Sequence, residues 1–149
     1  MTEDEVWYFA YCSNLNIGQM MNRVGEWIVS KRAVLKGYEL RFNVCSPRWG
    51  GLTANMVRTD NSDTKVYGAL YRISREKLSV LSTYEGIKTT DIAAEADGEN
   101  LRAKTYIFKA RRVSGKPPEA YLNVMLNGLR QHGYPDKVIE EVRKIAQNL

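Results

Sequence analysis

Two short stretches bring together residue types that can do chemistry. The first is Trp7-Tyr8-Phe9-Ala10-Tyr11-Cys12-Ser13-Asn14-Leu15-Asn16, where aromatic and small apolar residues break off into a polar turn. A helix-like segment, Ile17 to Val24, follows it. A buried strand ending this way leaves backbone N–H groups without partners at the helix start, donors suited to an anion or a carbonyl oxygen. The same pattern also serves as a plain chain reversal. The second stretch is Glu85, set between Tyr84 and Gly86 at the end of a predicted helix. There the negative end of the helix dipole disfavours a carboxylate, and aromatic neighbours add desolvation. Both effects raise a carboxyl pKa toward the range where it can take up a proton and return it. A solvent-facing glutamate tolerates the position equally, so local sequence leaves both readings open.

The remaining reactive residue types narrow the chemistry. Cys12 and Cys45 are too few for a disulfide scaffold or a metal site, and both are flanked by residues of buried character. They read as reduced, inert thiols. His132 is the single histidine, so the usual zinc ligands are missing and a Ser-His-Asp or Cys-His nucleophile is not expected. It precedes Gly133 near a helix end, where a solvated or dipole-satisfying imidazole is the ordinary reading. The formal net charge is +5, and basic residues gather late, at Arg102, Lys104, Lys109, Arg111, Arg112 and Lys116. They carry no recognisable nucleic-acid-binding motif. We read them as a solvated basic edge strand, which blocks strand-to-strand aggregation and attracts small acidic molecules.

The elements that must position these residues follow from periodicity and punctuation. With 149 residues and no repeat, low-complexity tract or linker, the chain reads as one domain over 1–149. Val6 to Tyr11 forms a first strand and Ile17 to Val24 a short helix. Trp27 to Leu35 is extended, and Tyr38 to Val44 alternates with the period of a half-buried strand. Ser46-Pro47-Arg48-Trp49-Gly50-Gly51 is a loop between that strand and Leu52 to Arg58; Lys65 to Ile73 is the next strand. Ser74 offers a helix N-cap, Leu78, Leu81 and Tyr84 recur at helical spacing, and Gly86 stands at the C-terminal cap. Extended segments follow at Thr90 to Glu95 and Leu101 to Ala110, joined by an Asp97-Gly98 turn. Pro117-Pro118 opens a helix bearing Tyr121, Val124, Met125 and Leu129. Pro135 and Asp136 start a last one on Val138, Val142, Ile145 and Leu149. The layout is α+β: a mixed, barrel-like sheet, a short N-terminal helix, one mid-chain helix and C-terminal helices.

No apolar stretch approaches the roughly 20 residues of a membrane span, so no membrane partner is expected. The start, Met1-Thr2-Glu3-Asp4-Glu5, is acidic, the wrong sign for a targeting sequence, and the expected location is the cytoplasm.

Several motifs together resemble one family. Tyr8-Phe9-Ala10-Tyr11-Cys12-Ser13-Asn14 is similar to the Y-F-A-Y-G-S-N opening of the gamma-glutamylcyclotransferase-like proteins, a superfamily that includes avirulence-induced plant proteins and the butirosin-pathway cyclotransferase. Ser46 to Gly51 with Thr53-Ala54-Asn55 resembles its glycine-bearing segment, and Val66 to Ile73 its G-x-x-[YW] strand. Leu78 to Ile87 resembles the helix ending in L-D-x-x-E-G-V, and Pro117 to Gly128 the closing P-x-x-x-Y helix. The order of the motifs matches across nearly the whole chain. The resemblance implies intramolecular cyclotransfer on a small γ-glutamyl amine or amino acid, releasing 5-oxoproline without metal or cofactor. It makes Glu85 the general acid/base, gives Tyr8, Phe9, Ala10, Tyr11, Cys12 and Ser13 the glutamyl moiety and the oxyanion, and puts Tyr121 in the pocket wall. It assigns no oligomeric state.

Two departures stand out. Cys12 occupies the position of the loop glycine. A positive φ there would strain it by about 1 kcal/mol, whereas a close substrate approach would leave its side chain partly filling the pocket. After Gly86, Lys88-Thr89-Thr90-Asp91-Ile92 runs where the family often carries a G-x-Y element. The rival reading is a non-catalytic small-molecule binding protein on the same fold. A nucleic-acid-binding module rests only on the late basic residues.

Overall fold

The computed structural model describes residues 3–109 and 114–147. The strands are β1 (Glu5–Ala10), β2 (Val29–Lys36), β3 (Tyr38–Ser46), β4 (Gly51–Arg58), β5 (Lys65–Ser74), β6 (Thr90–Ala96) and β7 (Glu99–Thr105). The helices are α1 (Ile17–Val24), α2 (Arg75–Glu85), α3 (Glu119–Gln131) and α4 (Asp136–Gln147), with a 3-10 turn at Ser13–Leu15. Arg111, Arg112 and the ends of two expected elements, Ala110 and Leu149, lie outside the described residues.

The barrel expected from the many strands is closed, in the order β1-β5-β2-β6-β7. β1 and β5 run antiparallel from Glu5↔Ser74 to Ala10↔Ala69, and β1 meets β7 in parallel at Tyr8↔Lys104. Closure explains the near-continuous apolar run of β1: from Val6 to Ala10 every residue is buried, packed inside the barrel or under covering elements. β3 and β4 form a separate two-stranded ribbon joined by the turn at 47–50, and its register shifts at Asn43. The ribbon matters for function because its residues face the end of β1 across an open cleft.

Three expectations need correction. β7 is not a basic edge strand, since it pairs with both β6 and β1 and has no free edge. Its Lys104 ion-pairs with Asp91 on β6, so local charge marked a cross-strand pair. Cys45 is exposed rather than buried, because the irregularity at Asn43 alters the side-chain alternation that β3 shows up to Phe42. His132 stands at the C-terminal cap of α3 as expected, but half-buried rather than free in solvent, its Nε2 3.0 Å from the Leu15 carbonyl oxygen and 3.0 Å from the Tyr71 hydroxyl.

Among the described residues no helix is long and apolar enough to cross a membrane.

Candidate active site

Glu85 owes its place to the way α2 begins and ends. The Ser74 side chain accepts from the Lys77 N–H, satisfying one of the first-turn donors, and Leu78 and Leu81 bury the inner face. Gly86 terminates the helix in the left-handed region at φ 75°, a conformation that disfavours a Cβ. The last helical residue is therefore Glu85, delivered to the cleft at the end of β1.

A second positioning event comes from α3. A Cβ on Gly128 would lie 2.5 Å from the backbone of Leu15 and Asn16, so only glycine lets this helix press directly on the 3-10 turn. The turn is also held from below. The Tyr71 hydroxyl is 3.0 Å from the Asn14 carbonyl oxygen and 3.2 Å from that of Leu15.

The clamped turn aims the Asn14 side chain at Glu85. Asn14 Nδ2 donates to Glu85 Oε1 at 2.9 Å and lies 3.0 Å from the Tyr8 hydroxyl. Asn14 Oδ1 accepts from Arg23 Nη1 at 3.0 Å and from Gln19 Nε2 at 3.2 Å. Arg23, from α1, also ion-pairs with Glu85 Oε1 at 3.5 Å. Burial raises the Glu85 carboxyl pKa above its ordinary value, while Arg23, Asn14 and Arg48 pull it back. The direction agrees with the sequence expectation, and burial is the main cause.

Glu85 lines a cleft of about 450 Å3. Cys12, Ser13 and Tyr121 share its walls with Arg23, Arg48, Trp49, Thr53 and Ala54. The Tyr121 hydroxyl accepts from the Ala54 N–H at 3.0 Å, and its ring meets Trp49 edge-on at 5.1 Å. The guanidinium groups of Arg23 and Arg48 lie 5.0 and 5.3 Å from the centre of the Tyr84 ring. Tyr84 thus holds two cations at the cleft wall.

The run Tyr8 to Ser13 divides in two. Tyr8, Phe9 and Ala10 pair with β5 and are buried in the barrel; the Tyr8 hydroxyl is joined to Glu85 by hydrogen bonds through Asn14. Tyr11 is also buried and donates its hydroxyl to the Tyr106 carbonyl at 2.6 Å. Cys12 and Ser13 alone of the six line the cleft. Cys12 has φ −111°, so its backbone carries no left-handed strain. Its thiol instead fills space against β4, with Sγ donating to the Ala54 carbonyl at 3.4 Å. Burial, reinforced by the Glu85 charge, pushes that thiol far above its ordinary pKa. A thiolate nucleophile is thereby disfavoured.

Sequence reasoning missed the partners of Glu85. Asn14 stood inside the opening run with no assigned role, and Arg48 and Trp49 stood in a loop segment quoted only for its glycines. Arg23 gave no local signal, because its approach to Glu85 depends on how α1 packs against α2. Among the described residues no group of three or more His, Cys, Asp or Glu converges as a metal-ligand set. The cleft sets two guanidinium groups beside a carboxylate whose pKa burial raises, an arrangement suited to an anionic or carbonyl-bearing ligand.

The model of the AIG2-like family matches residues 65–142. A curated gamma-glutamylcyclotransferase of Mus musculus is 25% identical over 151 residues, covering 95% of this chain and 79% of the mouse protein. Among solved structures, a gamma-glutamyl cyclotransferase superposes with a TM-score of 0.85 at 20% identity, over 93% of this chain and 86% of the other. A yeast gamma-glutamyl cyclotransferase described as specific to glutathione gives 0.68 at 14% identity, over 99% of each chain.

Proposed function

The chain belongs to the AIG2-like family, and from that premise we propose that it cyclises the glutamyl moiety of a small γ-glutamyl amine or amino acid, releasing 5-oxoproline. The observation that carries this reading is the Glu85 carboxylate, half-buried at the cleft wall with its pKa raised and one oxygen fixed by Asn14 and Arg23.

The chemistry needs little beyond that carboxylate. Glu85 takes a proton from the substrate α-ammonium, and the freed amine attacks the γ-carbonyl carbon of the same molecule. The new C–N bond closes a five-membered lactam. As the tetrahedral intermediate collapses, the ring nitrogen sheds its second proton to solvent, the bond to the leaving nitrogen breaks, and that nitrogen departs as an ammonium, one of its two new protons returned by Glu85 and the other taken from solvent. Nucleophile and electrophile belong to one molecule, so holding it folded supplies much of the acceleration. The backbone of Tyr8 to Ala10 is engaged with β5, which leaves the peptide groups from Tyr11 to Ser13 to hold the glutamyl moiety and the developing oxyanion. Tyr121 forms the opposite wall, fixed by its bond to Ala54. The mouse and structural relatives named for this activity support the reading.

The test is 5-oxoproline release from a panel of γ-glutamyl amino acids and amines, with Glu85→Gln beside wild type. Wild type should form product, and the near-isosteric variant should lose about 100-fold or more in kcat. Saturable binding without product across the panel would instead assign a binding protein on this fold. Product from both proteins at similar rates would remove Glu85 from the reaction.

A further inference from the structure

A second groove, of about 500 Å3, lies beyond the far wall of the cleft. The two share Val44, Cys45 and Phe108 among their lining residues, so the groove adjoins the cleft across these side chains. The chain itself links them as well, since Glu85-Gly86-Ile87-Lys88 carries the carboxylate in the cleft and two residues that line the groove.

The groove differs from the cleft in chemistry. Ile87, Ile107, Phe108 and Val44 give it largely apolar walls, with Asn43 as a polar lining residue, and among the described residues its charged lining side chains are Lys88 and Lys109. Both lysines are exposed, and among the described residues no carboxylate ion-pairs with either ammonium. In the cleft, by contrast, Glu85 offsets part of the charge of Arg23 and Arg48. An apolar channel with two cations at its wall suits a ligand with an apolar body and an anionic end, and repels a polyamine.

We infer that this groove is the leaving-group subsite, and that it selects γ-glutamyl derivatives of bulky apolar amino acids. The leaving residue's side chain packs on Ile87, Ile107 and Phe108, and its carboxylate faces Lys88 and Lys109. The assignment rests on the cyclotransfer reading, which fixes the glutamyl moiety beside Glu85 and sends the leaving nitrogen outward.

Three substrates separate the contributions: γ-glutamyl-phenylalanine, γ-glutamyl-phenethylamine, which lacks only the carboxylate, and γ-glutamyl-glycine, which lacks the apolar body. 5-Oxoproline formation is followed with wild type and with the double variant Lys88→Ala/Lys109→Ala. Binding of the same compounds to Glu85→Gln, with and without the two lysine changes, is measured by calorimetry. Wild type should favour the phenylalanine compound over the phenethylamine compound by about fivefold in kcat/KM, carried by KM. The double variant should bring that ratio close to one while leaving turnover of the phenethylamine compound unchanged. Phe108→Ala should shrink the preference for the phenylalanine over the glycine compound.

A ratio near one in wild type, or one unchanged in the double variant, overturns the subsite while product formation leaves the reaction standing. Discriminating binding with no product from any compound overturns the reaction and keeps the groove as a ligand site. Absence of both product and binding overturns both.

Discussion

Glu85 is held between opposing influences that come from different parts of the chain. Burial favours its neutral form, while Arg23 and Arg48 favour its charged form and Asn14 donates to the same oxygen that Arg23 approaches. Proton transfer in both directions needs such a balance, because a carboxylate fully stabilised by arginine is a poor base and a fully buried one never ionises. Arg23→Met removes the principal opposing charge, so the carboxyl pKa should rise further. In the proposed reaction the base form is the active one. The acidic limb of kcat/KM against pH should therefore move to higher pH, by about one unit. An unmoved limb would show that Arg23 acts on Glu85 sterically rather than electrostatically. Cys12 makes a contrasting case at the same scale. Its thiol is spent on the Ala54 carbonyl and kept protonated, so its effect on the site is volume, not reactivity.

At the scale of elements, the site is an agreement between α2, which delivers the carboxylate, and α3, which presses the 3-10 turn into place. Gly128→Ala tests the second half. Its Cβ would stand 2.5 Å from the Leu15 and Asn16 backbone, so helix and turn must separate. Denaturant midpoints should fall by the equivalent of about 1–3 kcal/mol, and turnover should fall further than stability explains as Asn14 loses its aim. Unchanged turnover in the folded variant would mean that the turn holds itself. Much at this scale was legible before the fold was known. Ser74, Gly86 and the leucines between them define α2 through capping and period, and the Asp97-Gly98 turn defines the β6–β7 hairpin. A barrel-like sheet was legible from the number of strands, but the pair that seals it was not, because the Tyr8↔Lys104 pairing joins residues far apart in sequence and leaves no trace in local periodicity. For the same reason Lys104 and Arg102 looked like the edge of a sheet. The site divides along the same line. Glu85 stands out by its place at a helix end, and Ser13 and Tyr121 enter through the family resemblance, whereas Arg23 enters only through the packing of α1 on α2.

For the whole molecule, a carboxyl whose charged form is partly desolvated weakens the fold at neutral pH. The folded-state pKa of Glu85 lies above its unfolded value, so the folded chain binds the proton more tightly. The contribution to stability is fully present below the unfolded pKa and is lost as pH rises through the folded one. Glu85→Gln mimics the protonated form and should melt a few degrees above wild type at pH 7, on the order of 1 kcal/mol, with the gap closing near pH 4. A gap independent of pH would contradict this account. The parallel contact that seals the barrel has a consequence in time as well as in space. The first strand cannot gain its second neighbour until residue 104 has been made. At about 5–20 residues per second, that is a delay on the order of ten seconds after Tyr8 itself is joined to the growing chain. Throughout it, Val6-Trp7-Tyr8-Phe9-Ala10, the apolar strand that leads into the 3-10 turn, remains an open edge and is exposed to pairing with other chains.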